Sequence, residues 1–337
     1  IYIYDKRVWD VKPDGTFSNG WFYVFSGTLA QKPRVLEDNE TVADEDRKHV
    51  IRVPQEFREE FRKDIINALR EIAGISTLAR HPYFLETEKV FRSQNRHHSI
   101  FGEQRVDFVT TRLTIRKAAF WRPDLPRFVH VDLAISGDSA GVAVGAVKGF
   151  KSMRELGLSQ NEHEVMPEFH IDGVLEVKPP RNAEIQFWKI REVIVALRNM
   201  GMNIRWVTFD SFQSTDSMQL LRQQGFVTGN QSMDITPCIP YDILKSAVYD
   251  GRVAMPAHAK LVTEILSLER DLKTGKVDHP PAGSKDCADA LAGVVHGLTM
   301  RREIWGLFKI PIISIPASLR MGPTDKLEEQ NARKAQG

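Results

Sequence analysis

The 337-residue chain has only two cysteines, Cys238 and Cys287, and no Cys-x-x-Cys pair. That excludes a disulfide scaffold and the usual structural zinc site, and two free thiols suit a reducing, intracellular compartment. Long apolar runs are missing too. Stretches such as Ile310 to Ile315 fall far short of the roughly 20 residues that cross a bilayer, and no secretory signal segment is visible. Neither sign of charge dominates: 46 Lys and Arg against 44 Asp and Glu leave +2. This excludes a histone-like polybasic binder but not a local basic face. Three catalytic signatures are absent. There is no Gly-x-x-x-x-Gly-Lys-Ser/Thr phosphate loop, since the run Ser136 to Gly141 lacks the lysine. There is no Gly-x-Ser-x-Gly elbow and no His-Glu-x-x-His helix. What remains is 42% hydrophobic and 27% charged, over a length of roughly two domains, and can bury a sizeable core.

Residues 1–120 read as an accessory α+β region. Pro13-Asp14-Gly15 is turn chemistry, Gly20 to Gly27 alternates like a strand, and Leu36 to Asp46 is an acidic loop. Pro54 then opens a helical pattern (Phe57, Phe61, Ile65, Leu69, Ile72) that Gly74 ends. Residues 80–118 are irregular and rich in Arg, His and Gln. From Phe128 the pattern changes. Phe128 to Ala134, Ala140 to Val147 and Glu168 to Val177 predict three strands of an antiparallel meander, with a polar excursion over 149–166. A helix over Ala183 to Met200, a strand over Asn203 to Asp210, a helix over Ser214 to Gln224 and a strand from Phe226 follow. Further helices are predicted over Tyr241 to Asp250, His258 to Leu272 and Ser284 to Arg301. A meander feeding alternating helices and strands implies an α/β domain with a mixed central sheet flanked by helices. The polar stretch from Gly322 predicts a frayed tail.

The acids carry the chemical signal. Asp132 sits in an apolar strand, where a charge costs several kcal/mol unless it is paired or binds a metal. Asp210 ends the fourth strand of this part, and strand ends are where open α/β sheets place their sites. Asp286 and Asp289, spaced i, i+3, share one helix face. These positions can converge at one end of the sheet. A carboxylate-only ligand set suits Mg²⁺ or Mn²⁺. Two such ions about 3.5–4 Å apart activate water and stabilise the leaving oxygen of a phosphodiester. Asp138, in a Gly-Asp-Ser turn, can fold back beside Asp132. Competing roles are a turn or cap for Asp210 and charge matching to the helix dipole for Asp286 and Asp289. Asp172 reads as a solvent-facing strand residue and His279 as a solvated loop histidine. Arg112, Arg116, Lys117, Arg122, Arg127, Lys148, Lys151, Arg154, Arg301 and Arg302 are candidate phosphate contacts.

Taken together, these segments resemble a known family. His130 to Ala134 with Asp138 to Val144 resembles the opening hairpin of the nuclease domain of phage large terminase subunits. Val207 to Ser214 resembles its second acidic motif. Tyr241 to Lys245 and Gly251 to Val253 resemble the helix and short strand that follow. Val277 to Pro280 with Lys285 to Ala292 resembles its closing acidic helix. The resemblance spans about 125 to 302. It implies an RNase H-like domain over 121–305, a C-terminal tail over 306–337, and a metal-dependent endonuclease that cuts concatemeric viral double-stranded DNA. It implies that Asp132 bridges two ions, that Asp210 binds one of them, and that Asp286 or Asp289 supplies the third acid, with Asp138 accessory. It also implies a portal protein and a small terminase subunit as partners, and the host-cell cytoplasm, transiently at the procapsid portal, as location, with no membrane. Residues 1–120 then resemble the segment joining such a nuclease to a packaging ATPase. Without a phosphate loop, the chain is expected to be a fragment with no ATPase activity. Two other readings stay open: a junction resolvase or transposase-like nuclease on the same fold, and a non-catalytic DNA or portal docking module.

Overall fold

The computed structural model describes residues 7–320 apart from 14, 18, 29–30, 32, 38–39, 76–81, 134–138, 159–162, 211–213, 236, 272–273 and 281–282. In the N-terminal region β1 (Trp21–Phe25), β2 (Arg34–Val35) and β3 (Val50–Pro54) form an antiparallel sheet in the order β2-β1-β3. Its inward residues Phe22, Val24, Ile51 and Val53 pack on Phe61, Ala68 and Leu69 of α1 (Arg58–Lys63) and α2 (Ile65–Glu71). The single helix predicted after Pro54 is therefore two. Asp64 leaves helical geometry at φ −152°, and its carboxylate accepts the Asn67 N–H to start the second helix.

The larger part begins with α3 (Thr87–Ser93) and β4 (Arg105–Val106), then β5 (Arg127–Asp132), β6 (Ala140–Ser152) and β7 (Val165–Val177). Next come α4 (Phe187–Asn199), β8 (Ile204–Phe209), α5 (Thr215–Gln223), β9 (Val227–Asn230) and α6 (Ile239–Tyr249). The chain continues through β10 (Val253–Ala254), α7 (Ala259–Ser267), β11 (Glu269–Arg270), β12 (Val277–Asp278), α8 (Asp286–Met300) and α9 (Arg302–Leu307). A seven-stranded sheet runs β10-β7-β6-β5-β8-β9, with β4 also on β7. The pairs β5–β6 and β6–β7 are antiparallel, whereas β5–β8 and β8–β9 are parallel. A meander followed by parallel strands added on its first strand is the mixed central sheet that the sequence pattern predicted.

Alternation along β5 sends Val129 and Val131 to one face, where they meet Ile190, Ile194 and Leu197 of α4 and Leu221 of α5. Phe128 goes to the other face, in a core shared with Leu244, Ile265, Leu291 and Val294 of α6, α7 and α8. The meander hairpin is longer than its sequence pattern, because β6 extends to Ser152 and β7 starts at Val165. The helix predicted over 258–272 stops at Ser267. Leu268 turns extended (ψ 135°), and β11 then pairs with β12. Residues that look irregular in sequence are packed: Tyr83, Phe84 and Val90 join one core, and Ile100, Phe101 and Val106 the other. Trp305, Ile315 and Leu319 are also buried in the first of these. Among the described residues, no helix is long and apolar enough to cross a membrane.

Candidate metal centre

Asp132 is the last residue of β5, and Asp210 follows β8 directly. These strands are parallel neighbours, and the Asp210 N–H donates to Val131 O at 3.1 Å. Both acids therefore leave the same end of the sheet.

The third acid is set by how α8 crosses β5. A β-carbon at Gly297 would collide with the Phe128 ring, and one at Gly293 with the His130 ring. Helix backbone thus lies directly on the strand, every fourth helical residue facing every second strand residue. The spacings agree: four helical residues rise about 6 Å, and two strand residues about 6.6 Å. One further step along this match sets Asp289 at Asp132. A carboxylate oxygen from each of Asp132, Asp210 and Asp289 lies within 4.8 Å of the others. Asp286 is buried beside this group rather than in it. Its backbone carbonyl rests on Gly141, the β6 register partner of Asp132, where any β-carbon would collide with it.

Hydrogen bonds hold two of the three acids. Asp289 Oδ1 accepts the Tyr241 hydroxyl and Oδ2 accepts Lys285 Nζ at 2.8 Å. Lys285 Nζ also donates to Asp234 Oδ1 at 2.8 Å. Asp210 Oδ1 accepts the Met233 N–H at 3.2 Å. Glu264, buried in α7, accepts the Ala288 N–H and the Ser284 hydroxyl at 2.9 Å each, which ties down a first-turn donor of α8.

The charges do not balance. Burial, and then the charges of Asp289, Asp210 and Asp286, push the Asp132 carboxyl well above the usual range, with Lys285 pulling the other way. Burial also raises Asp210, against the hydrogen bonds from Ser232 and Met233. It raises Asp289 to about 6 despite the attraction of Lys285. Burial alone would lower Lys285, but Asp289 and Asp234 reverse the sign and leave it raised. Among the described residues, three buried or half-buried carboxylates thus face one ammonium. This oxygen-only donor set fits a hard divalent cation of the Mg²⁺ or Mn²⁺ type.

Of the acids singled out from sequence, Asp132, Asp210 and Asp289 come together, Asp286 adjoins them, and Asp138 lies outside the described residues. His279 is not in this group; its Nδ1 is 2.8 Å from Pro280 O. Two expectations are corrected. Asp172 is not solvent-facing but fully buried, paired with Arg127 at 3.1 and 3.3 Å. Arg127 is equally buried and cannot reach a phosphate. The reason is that β7 and β5 are interior strands with both faces covered, so alternation does not expose either side. Tyr241, Lys285, Asp234 and Glu264 were not foreseen as partners. Lys285 stands four residues before Asp289, which is a readable helix-face spacing.

No family model matches the chain, and no curated protein matches it. Among solved structures, it is similar to the large terminase nuclease from thermophilic phage G20c, at 13% identity and TM-score 0.42, covering 62% of this chain and 95% of that one. The same nuclease with bound cobalt matches at 13% identity and TM-score 0.43, covering 65% and 98%. The HK97 bacteriophage large terminase matches at 11% identity and TM-score 0.40, covering 78% of this chain and 52% of that one.

Proposed function

We propose that this chain is a divalent-metal-dependent endodeoxyribonuclease of a viral genome-packaging terminase, which hydrolyses phosphodiesters of concatemeric double-stranded DNA with two bound ions. The observation that carries this reading is the convergence of Asp132, Asp210 and Asp289 within 4.8 Å at one sheet end, with one ammonium against them. Asp132, Asp210 and Asp289 would hold the ions, and Asp286 and Asp138 would be accessory. Mg²⁺ or Mn²⁺ there would lower the pKa of the attacking water and offset charge on the leaving 3′ oxygen.

The side chains themselves act as ligands and braces rather than as proton carriers. Lys285 balances the charge on Asp289 Oδ2, and Tyr241 holds Oδ1 and so orients the carboxylate. The Met233 N–H does the same for Asp210. Preset ligands lower the ordering cost when an ion binds. Exposed basic residues such as Arg112, Lys117 and Arg154 would meet the DNA backbone. In this reading 121–305 is the nuclease, 1–120 joins it to a packaging ATPase, and the portal protein and small subunit bring it to the procapsid in the host cytoplasm.

The test is incubation of the chain with supercoiled plasmid in EDTA, Mg²⁺ or Mn²⁺, beside an Asp132→Asn/Asp210→Asn variant. Nicking and linearisation that need metal and vanish in the variant are expected. Folded protein that cuts in neither metal would instead favour a docking module.

A further inference from the structure

Among the described residues one cation, Lys285, contacts the acidic centre, and it has two partners of different kinds. Lys285, at the N-cap of α8, is 8% exposed, and its ammonium is 2.8 Å from Asp289 Oδ2 and 2.8 Å from Asp234 Oδ1. Asp289 is buried and belongs to the three-acid group. Asp234 belongs to the surface: its side chain is 48% exposed, and Lys276 Nζ lies 3.6 Å from its other oxygen. Both oxygens of Asp289 are engaged, one by Tyr241 and one by Lys285. An ion approaching Asp289 therefore meets the ammonium one carboxylate away.

We propose that Lys285 is a built-in counter-ion of the metal centre: it neutralises Asp289 while no metal is bound, and is handed to Asp234 when a divalent ion takes Asp289. The Lys285–Asp234 pair then sets the affinity of the centre for metal. This rests on the metal-centre reading above and gives a role to Asp234, which that reading leaves idle, and a second partner to Lys285. Lysine suits the task, being a compact charge with three rotatable donors on a flexible stem, able to serve two carboxylates in turn. The consequence is opposite in sign for the two partners. Removing Lys285 removes a positive charge that opposes the incoming ion. Removing the Asp234 charge leaves Lys285 on Asp289 and makes the ion's entry harder.

The experiment is calorimetric titration of the whole chain with Mn²⁺ for four proteins: the wild type, Lys285→Met, Asp234→Asn and the double variant. Lys285→Met is expected to bind Mn²⁺ roughly tenfold more tightly, and Asp234→Asn roughly threefold more weakly. In the double variant the Asp234 effect disappears and the affinity equals that of Lys285→Met. Weaker binding by Lys285→Met overturns the proposal, because the lysine would then be needed to aim Asp289. An Asp234 effect of equal size in both backgrounds also overturns it, since that is plain long-range charge. If Lys285→Met does not fold, Lys285→Gln carries the same cycle. A metal-free arm separates the two readings. In EDTA, Lys285→Met should lower the melting temperature of the wild type but not of Asp289→Asn. Loss of that coupling contradicts the counter-ion itself, whereas a wild type that takes up no Mn²⁺ contradicts the metal centre and the hand-over with it.

Discussion

Two buried ionic clusters lie on the same sheet and are balanced in opposite ways. At the first, Asp172 meets Arg127 one to one, both fully buried. The remaining guanidinium N–H groups donate to the carbonyls of Trp121, Arg122 and Leu125. Beside them His170 stacks between His97 at 3.9 Å and Trp121 at 4.4 Å. Burial raises Asp172 to about 6, with Arg127 pulling it down. At the second cluster three carboxylates share one lysine. Partner removal is the costly event in the first, because it would strand a buried charge. In the second, negative charge is already in surplus, and a cation is what the group is short of. A closed pair holds a fold; a buried surplus of one sign marks a place for a ligand.

The contrast can be broken in steps of decreasing size. Asp132→Asn or Asp210→Asn should reduce metal-dependent plasmid cutting by about a thousandfold or more, while thermal unfolding in EDTA shows no loss of stability, since a repelled carboxylate has gone. Arg127→Met should do the reverse. It should cost about 3–5 kcal/mol in denaturant unfolding, yet leave the cutting rate per folded molecule close to wild type. Gly293→Ala ties the two properties together. The methyl drives α8 off His130, so a stability loss of about 1–3 kcal/mol should come with weaker Mn²⁺ binding. Asp286→Asn, outside the three-acid group, should lower cutting by about tenfold only.

Acid exposes the difference by pH. Burial lowers His130 to about 3, His170 to about 3 and His296 to about 4, from 6.5. A depressed folded pKa means that the stability these groups contribute is complete above pH 6.5 and is lost as pH falls toward 3–4. Each should cost about 2 kcal/mol at pH 5, readable as a falling denaturation midpoint. At the acidic centre the shift has the other sign. Asp289, raised to about 6, takes up a proton below that pH, so Mn²⁺ affinity should fall as pH drops through 6.

Much of this was legible in the residues. Asp132 stands out because an acid flanked by Val131 and Leu133 needs a partner, and the partners turned out to be other acids. The choice between Asp286 and Asp289 was not legible, because i, i+3 residues share a face and only the crossing of α8 over β5 separates them. A signal existed in hindsight: Asp289, Gly293 and Gly297 form one i, i+4 stripe, and glycines on a buried helix face mark where backbone meets backbone. Asp172 was misread because alternation distinguishes faces but not whether each face is covered. The strand over Gly20 to Gly27 and the helical pattern after Pro54 were legible, but Phe84, Phe101 and Val106 gave no local sign that they pack into the large sheet's cores. Those contacts are set by tertiary packing, not by periodicity.

The most direct measurement is anomalous diffraction from crystals soaked in Mn²⁺. Anomalous peaks are expected between the carboxylates of Asp132, Asp210 and Asp289, lost in Asp210→Asn. Ordered, ion-free carboxylates at saturating Mn²⁺, or peaks only elsewhere on the chain, would contradict the metal centre.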